Sequence, residues 1–188
     1  MFLRQPRQVG SITPSSRFLT TAILKPVDWA STQYIAELGA GTGVFTAAIN
    51  EHRSPESQFI VFEKDSGMRD QLAQRFPSLL IGEDACLLNQ TVHDLGMPKL
   101  DVIVSGLPFA LFPPSVREHL MDEIISVLQP HGLLIMFQYS LQMKELLLSR
   151  FARVETAFVP LNMPPAFVNT CYQQKRHDRK VNQPVYLS

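Results

Sequence analysis

Short apolar runs alternate with longer segments that have no helix breakers through the middle of the chain. The apolar runs predict buried strands, and the segments between them predict helices. The predicted strands are 34–38, 59–63, 79–82, 100–104 and 132–137. The predicted helices are 44–52, 66–76, 86–95, 114–129 and 141–149. Strands separated by helices imply right-handed crossovers and a mostly parallel sheet with helices on both faces.

The pattern changes near both ends of the chain. Phe151–Phe158 and Ala166–Gln173 predict two adjoining strands, so we expect an antiparallel pair at the C-terminal end of the sheet. At the other end, Ser15 or Ser16 caps a predicted helix that runs to Leu24. The apolar side chains of this helix fall on one face, which indicates either packing on the core or an amphipathic lid that also touches an interface.

The chain has 188 residues and 45% hydrophobic residues, which favours a single globular domain. The formal net charge is zero, but residues 1–26 and 144–188 each carry a net excess of four bases. Basic ends suit an anionic partner, either a membrane surface or a nucleic acid, unless these bases are only solvated surface charges.

No apolar run approaches the roughly 20 residues that span a bilayer. The start of the chain also lacks the apolar region of a signal peptide. Cys86 and Cys171 lie far apart without metal-like spacing, and the five histidines form no cluster. We therefore expect a cytoplasmic protein without a metal, whose membrane contact would be peripheral.

A glycine-rich loop lies between the first predicted strand and the next helix. Glu37-Leu-Gly-Ala-Gly-Thr-Gly43 has glycines at alternate positions, which fits neither the dinucleotide fingerprint nor the phosphate loop. Glu37 before the loop would repel a pyrophosphate. It would attract a cation such as the α-ammonium of S-adenosylmethionine.

Acidic residues also end the next two predicted strands. Glu63 lies 20 residues after Gly43, the distance at which an acid reaches ribose hydroxyls, and Asp84 could bond the exocyclic amine of adenine. The alternative is that Asp65 and Asp84 only cap the following helices.

These motifs resemble the cofactor motifs of class I S-adenosylmethionine-dependent methyltransferases. The resemblance implies a single Rossmann-like α/β fold with a mostly parallel seven-stranded sheet and an antiparallel C-terminal strand. The cofactor residues that it implies are Ser16, Glu37, Gly39, Ala40, Gly41, Thr42, Gly43, Glu63, Lys64, Asp84, Ala85 and Ser105.

A second motif, Ser105-Gly-Leu-Pro-Phe109, follows the fourth predicted strand. Glycine and proline fix a tight turn, which would present backbone carbonyls and an aromatic ring where the methyl donor points. A substrate amine could bond to those carbonyls with its lone pair in line with the methyl group. The alternative is an ordinary loop with Phe109 buried. Adenine N6-methyltransferases have Asn or Asp at the position of Ser105, so this serine argues against a nucleic-acid substrate.

Four stretches resemble bacterial phospholipid N-methyltransferases, which are related to ribosomal RNA adenine dimethylase-like proteins. They are Val9–Ser16, Glu37–Gly43, Ser105–Phe109, and Phe137–Ser140 together with Pro164–Val168. The resemblance implies methyl transfer to the amine of phosphatidylethanolamine at an anionic membrane surface. Residues 1–26 would form a lid and membrane-contact segment, and residues 27–188 the catalytic domain.

The substrate residues that follow from the turn and the resemblance are Ser105, Leu107, Pro108, Phe109 and Tyr139. Tyr139 follows the fifth predicted strand, where its phenol could orient the amine or take up its proton, or could simply close the core. A nucleic-acid adenine methyltransferase and a cofactor-binding protein without catalysis stay as rival functions. The exact lipid, the number of methyls, the proton acceptor, the oligomeric state and the role of the basic Lys175–Lys180 tail are left open.

Overall fold

The computed structural model of the protein describes residues 14–173, and side chains from Arg17 onward. Within this part of the chain seven strands form one sheet, with helices on both faces. The strands are β1 (Tyr34–Leu38), β2 (Gln58–Phe62), β3 (Leu80–Gly82), β4 (Leu100–Ser105), β5 (Leu128–Gln138), β6 (Arg153–Val159) and β7 (Ala166–Tyr172). The helices are α1 (Pro14–Leu24), α2 (Val44–His52), α3 (Ser66–Arg75), α4 (Leu88–Asp94), α5 (Pro114–Val127) and α6 (Lys144–Arg150).

The strand order across the sheet is β3-β2-β1-β4-β5-β7-β6. Strands β1 to β5 are mutually parallel, and β7 runs antiparallel between β5 and β6. The predicted Rossmann-like fold with its antiparallel C-terminal strand is therefore confirmed. Parallel pairing brings the carboxyl ends of β1, β2, β4 and β5 to one edge of the sheet, which we call the carboxyl edge.

Most predicted elements lie within three residues of the observed bounds at each end, and two differ more. Strand β5 begins at Leu128 rather than at residue 132, because Leu128 pairs with Leu100, and extra residues of β5 shift the register before Leu133 pairs with Val102. The predicted helix 86–95 is divided into a short 3₁₀ turn, Ala85–Leu87, and α4, since Asp84 caps the turn separately.

Buried side chains cover both faces of the sheet. On one face Leu88, Leu120 and Ile124 from α4 and α5 pack on the strands, and on the other face Ile23 and Ile49 from α1 and α2 do so. Burying a leucine or isoleucine side chain contributes about 1.5–3 kcal/mol to stability. These two layers hold the strand ends in fixed positions at the carboxyl edge.

Helix α1 ends at Leu24 as predicted, but it begins at Pro14, so Ser15 and Ser16 lie within the helix instead of capping it. The helix packs on the core. Leu19 and Ile23 are 4% and 0% exposed, so they bury the predicted apolar face, but Phe18 from the same face is 48% exposed. Core packing thus explains the apolar residues Leu19 and Ile23 of this helix but not Phe18, whose ring stays half-exposed. No helix within residues 14–173 combines the length and the apolar character needed to cross a bilayer.

Candidate active site

The glycine loop joins β1 to α2 at the carboxyl edge. Gly39, Gly41 and Gly43 all have positive φ angles, of 77°, 56° and 78°, a conformation that residues with a Cβ rarely adopt. The backbone amides of Gly39 and Ala40 donate to the carbonyl of Phe62 at the end of β2, at 2.8 and 3.1 Å. The loop is therefore tied to the neighbouring strand, and Gly41 keeps open space around its Cα.

Glu37 is buried beneath this loop. Its exposed fraction is 1%, and its Oε2 accepts a 2.7 Å hydrogen bond from the hydroxyl of Thr46 in α2. Among the described residues, its Oε1 is the only side-chain oxygen or nitrogen that is shielded from solvent and has no hydrogen-bond partner. Burial raises the pKa of Glu37 to about 7, the Thr46 hydrogen bond opposes this, and the charge of Glu63 adds to the rise.

Glu63 links the glycine loop to the start of α3. Its Oε2 accepts a 2.7 Å hydrogen bond from the amide of Gly41, and its Oε1 accepts one of 2.9 Å from the amide of Asp65. The side chain is partly exposed, and its neighbour Lys64 is exposed. The carboxylate therefore holds the loop while still facing solvent at the carboxyl edge.

The two aspartates do cap helices, as the alternative interpretation held. Asp65 Oδ1 accepts from the amide of Met68 at 2.8 Å, and Asp84 Oδ1 accepts from the amide of Cys86 at 2.9 Å. The Cys86 hydrogen bond lowers the pKa of Asp84, so this carboxylate is ionised at neutral pH. Within the described residues the Oδ2 of Asp84 has no hydrogen-bond partner, so capping leaves it free to accept from a ligand.

These residues fit the predicted cofactor. An unpaired, sealed carboxylate oxygen is costly unless a donor reaches it, and the α-ammonium of S-adenosylmethionine would supply one to Glu37. Glu63 and Asp84 offer acceptors at the ends of β2 and β3 for ribose hydroxyls and an exocyclic amine. Their negative charges also suit a ligand whose sulfonium is positive.

The turn after β4 lies against the glycine loop. Gly106 donates its amide to the carbonyl of Leu38 at 2.8 Å, and a Cβ on Gly106 would lie only 2.9 Å from the carbonyl oxygen of Gly39. A Cβ on Gly39 would likewise lie 2.9 Å from the side chain of Leu107. The two motifs that the sequence identified separately thus form one continuous surface.

Ser105 supports this turn from below. It is 0% exposed, and its Oγ accepts a 3.3 Å hydrogen bond from the amide of Leu107. Pro108 is exposed and Leu107 is half-buried. The backbone of the turn, rather than the serine hydroxyl, is thus the part that faces outward.

The prediction that Phe109 presents its ring to a ligand is wrong for this structure. Phe109 is 0% exposed and belongs to the core cluster on the α4 and α5 face, with the ring of Phe112 at 6.0 Å. A 3₁₀ turn at Phe109–Leu111 directs the ring inward. The alternative interpretation, a buried Phe109, describes the observed loop.

Tyr139 follows β5 and is 57% exposed, so it does not close the core. Its ring packs edge-on against Phe137 at 5.9 Å, and Phe137 in turn contacts Phe45 of α2 at 5.3 Å. Partial desolvation raises the pKa of Tyr139 above its usual 10, so the phenol stays protonated at neutral pH. It can therefore donate a hydrogen bond, but it is a poor general base.

The structure adds two residues that the sequence analysis did not single out. Thr46 holds Glu37, and Gln138, the last residue of β5, donates its amide Nε2 to the carbonyl of Leu107 at 3.0 Å. Gln138 is 5% exposed. A glutamine that ends an apolar strand was the available signal, since a buried amide needs partners.

Some predicted residues lie outside the part that the structure describes. Ser16 belongs to α1, but its side chain is not described, and neither are residues 1–13 or 174–188. Within residues 14–173 no group of three or more His, Cys, Asp or Glu side chains is placed to hold a metal ion.

Comparison with known proteins places this site in context. A family model described as a methyltransferase domain matches residues 35–132. An ornithine lipid N-methyltransferase from Singulisphaera acidiphila is 29% identical over 175 residues, which cover 90% of this chain and 91% of that protein.

Solved structures share the fold at lower identity. The N-methyltransferase NodS from Bradyrhizobium japonicum WM9 gives a TM-score of 0.72 at 14% identity, covering 87% of this chain and 98% of that one. Its complex with S-adenosylhomocysteine gives 0.70 at 14% identity, covering 86% and 89%. A 1,6-didemethyltoxoflavin-N1-methyltransferase from Burkholderia thailandensis gives 0.66 at 17% identity, covering 87% and 80%. At these identities the likeness concerns the fold alone.

Proposed function

We propose that this chain, which belongs to the methyltransferase domain family and depends on S-adenosylmethionine, methylates the amine of a lipid headgroup, with phosphatidylethanolamine as the substrate. The observation that carries the proposal is the likeness to an ornithine lipid N-methyltransferase over nearly the whole of both chains. Phosphatidylethanolamine and an ornithine lipid both carry a primary amine next to an apolar body, so one acceptor site could serve either.

The roles of the cofactor residues follow from their positions. Glu37 would accept from the α-ammonium, Glu63 from the ribose hydroxyls, and Asp84 from the adenine amine, while the glycine loop allows the backbone to approach. The cofactor supplies an electrophilic methyl group on a positively charged sulfur. The carboxylates of Glu37 and Glu63 favour a cation at this edge of the sheet through their negative charge.

The amine would react beside the turn after β4. Its nitrogen forms the new C–N bond while the electron pair of the broken S–CH₃ bond stays on sulfur, and the nitrogen then releases one proton. Orientation and loss of water can supply much of the rate, so the chain needs only to hold the amine and exclude solvent. The carbonyl of Leu107 in this turn already accepts from the amide of Phe109 and from Nε2 of Gln138. Tyr139 follows the carboxyl end of β5 and is 57% exposed, so its phenol is a polar group at the same edge of the sheet.

Exposed apolar side chains at the carboxyl edge of the sheet support a lipid substrate. Leu111, Tyr139, Leu161 and Met163 are 77%, 57%, 60% and 87% exposed, and they follow the carboxyl ends of β4, β5 and β6. Exposed apolar residues gathered on one side indicate an interaction surface. We propose that this side faces a membrane, with residues 1–26 as lid and contact segment and residues 27–188 as the catalytic domain.

The buried Phe109 weighs against the nucleic-acid alternative. An extruded adenine needs an aromatic platform on which to stack, and the ring of the turn is in the core.

The test uses the full chain with methyl-labelled S-adenosylmethionine and four parallel acceptors. These are phosphatidylglycerol vesicles with phosphatidylethanolamine, the same vesicles with an ornithine lipid, vesicles with neither, and total RNA. Label in phosphatidylethanolamine is the expected result. Label in the ornithine lipid alone would overturn the phosphatidylethanolamine assignment and keep lipid N-methylation. Label in RNA, or in none of the four, would overturn the proposal.

A further inference from the structure

The amide of Gln138 has a fixed orientation at the acceptor turn. Its Nε2 donates to the carbonyl of Leu107, and a carbonyl can only accept. Reversing the amide would place two oxygens against each other, so this hydrogen bond determines where Oε1 points.

The other end of this amide is unused. Within the described residues Oε1 of Gln138 accepts no hydrogen bond. It is nevertheless not fully shielded from solvent, because Oε1 of Glu37 is the only unpaired side-chain oxygen or nitrogen in that part of the chain that is fully shielded. Its lone pairs are therefore open to whatever occupies the space beside the turn. Gln138 stands two residues beyond Met136, which pairs with Ser105 at the end of β4, so it lies at the same strand ends as the turn.

The nearby hydroxyl of Ser105 is less suited to contact a substrate. It is fully buried and already accepts from the amide of Leu107. Among the polar side chains bonded to the turn, Gln138 is the one with an available acceptor.

We propose that Oε1 of Gln138 accepts a hydrogen bond from the amine of the methyl acceptor and holds the nitrogen lone pair towards the donor methyl. The inference rests on the proposed lipid amine substrate and adds the residue that orients it. Gln138 does not take up the proton, because an amide is not a base at neutral pH. The released proton passes to water.

This role depends on how many hydrogens the nitrogen carries. A neutral primary or secondary amine has an N–H to donate as well as its lone pair, whereas a neutral dimethylated amine has only the lone pair. Gln138 should therefore assist the first and second methyl additions and have little influence on a third. A residue that only stabilises the turn would affect all three alike.

The experiment compares wild type with Gln138→Met, which keeps the side-chain length and removes both polar atoms. The acceptors are phosphatidylethanolamine and its N-methyl and N,N-dimethyl derivatives, each in phosphatidylglycerol vesicles. We expect kcat/KM to fall about fivefold to tenfold for the first two acceptors, the value of one hydrogen bond, and to change little for the dimethyl lipid.

Ser105→Ala is the matched control, because it removes the other side-chain hydrogen bond of the turn. We expect it to lower all measurable additions by similar factors. Calorimetric binding of S-adenosylhomocysteine and thermal unfolding report whether either variant has lost the fold. Phosphatidylcholine, which has no N–H, is tested as a competitive inhibitor. Its inhibition constant should be the same in Gln138→Met and wild type. This measurement keeps the test decisive if the wild type adds only two methyl groups.

If Gln138→Met lowers kcat/KM equally for all acceptors and also weakens inhibition by phosphatidylcholine, the inference is overturned while the proposed function stands. So would a dependence on N–H count in Ser105→Ala rather than in Gln138→Met. A wild-type protein that labels none of the three lipids would instead overturn the proposed function, and the inference with it.

Discussion

The hydroxyl of Thr46 donates a 2.7 Å hydrogen bond to Oε2 of Glu37, and this bond leaves Oε1 of the same carboxylate without a partner among the described residues. Both side chains are buried, Thr46 in the first turn of α2 and Glu37 in β1. The helix thus fixes the carboxylate that the sequence assigned to the cofactor ammonium. Since burial raises the pKa of Glu37 to about 7, its charge depends on pH near neutrality.

Cofactor affinity should rise with pH because of this carboxylate. The ammonium group favours ionised Glu37, so we expect S-adenosylhomocysteine to bind more tightly as pH increases from 6 to 8. Thr46→Val removes a hydrogen bond that lowers the pKa, so its binding curve should move to higher pH. Isothermal titration at several pH values measures both curves. A wild-type affinity that is flat over this range would mean that Glu37 does not pair with the ammonium.

The stability of the free protein should change with pH in the opposite direction. The folded pKa of Glu37, about 7, lies above the ordinary value of 4.5, so the folded state binds more protons than the unfolded state between these two values. The free energy of unfolding should therefore fall as pH rises from about 4.5 to 7. Glu37→Gln should lose this contribution, which urea unfolding of both proteins at pH 5 and 7.5 would reveal as a smaller difference in the variant.

Glu63 and Asp65 allow ligand binding to be separated from helix capping. Glu63→Ala removes the acceptor of the Gly41 amide and the proposed ribose contact, so we expect weaker binding of S-adenosylhomocysteine. Asp65→Ala removes only the cap of α3, which should cost about 1 kcal/mol of stability and leave affinity nearly unchanged. Calorimetry and urea unfolding on both variants test this. Similar affinity losses in the two would mean that Glu63 acts only by holding the backbone.

The sequence predicted the fold, and it predicted that the acids of the candidate site lie at the carboxyl edge, because both follow from local patterns. Apolar runs indicate the strands, and an acid that directly follows a strand must lie at the carboxyl edge. The sequence alone therefore predicted that Glu63 lies at this edge. The direction of the Phe109 ring depends on a 3₁₀ turn that composition does not specify. The hydrogen bond between Gln138 and Leu107 joins residues that are 31 positions apart, so no local sequence pattern predicts it.

Gly106 should be intolerant of a side chain because of its contact with the glycine loop. An added Cβ would lie 2.9 Å from the carbonyl oxygen of Gly39 and 3.3 Å from the ring of Phe137, so Gly106→Ala must displace backbone. We expect a loss of about 1–3 kcal/mol of stability and weaker cofactor binding. Gly96→Ala is the control, since Gly96 has a φ of 62° but open space around it. It should cost about 1–2 kcal/mol through backbone strain with cofactor affinity unchanged.

The apolar loop between β6 and β7 gives a test of the membrane-facing side. Leu161 and Met163 lie in this loop beyond the carboxyl end of β6, and at 60% and 87% exposed they bury little against the protein. Replacing both by glutamine should therefore leave the fold and S-adenosylhomocysteine binding intact. If this side enters the lipid, the double variant loses the transfer free energy of two apolar side chains on contact.

We expect the Leu161→Gln and Met163→Gln double variant to sediment less with phosphatidylglycerol vesicles and to show a raised apparent KM for phosphatidylethanolamine, with kcat nearly unchanged. Leu95→Gln is the matched control, because Leu95 is 40% exposed at the end of α4, before β4 begins, and so lies towards the opposite edge of the sheet. Equal vesicle binding by the double variant, the control and wild type would show that this loop does not contact the lipid. Membrane contact would then have to come from other segments, with residues 1–26 the first to examine.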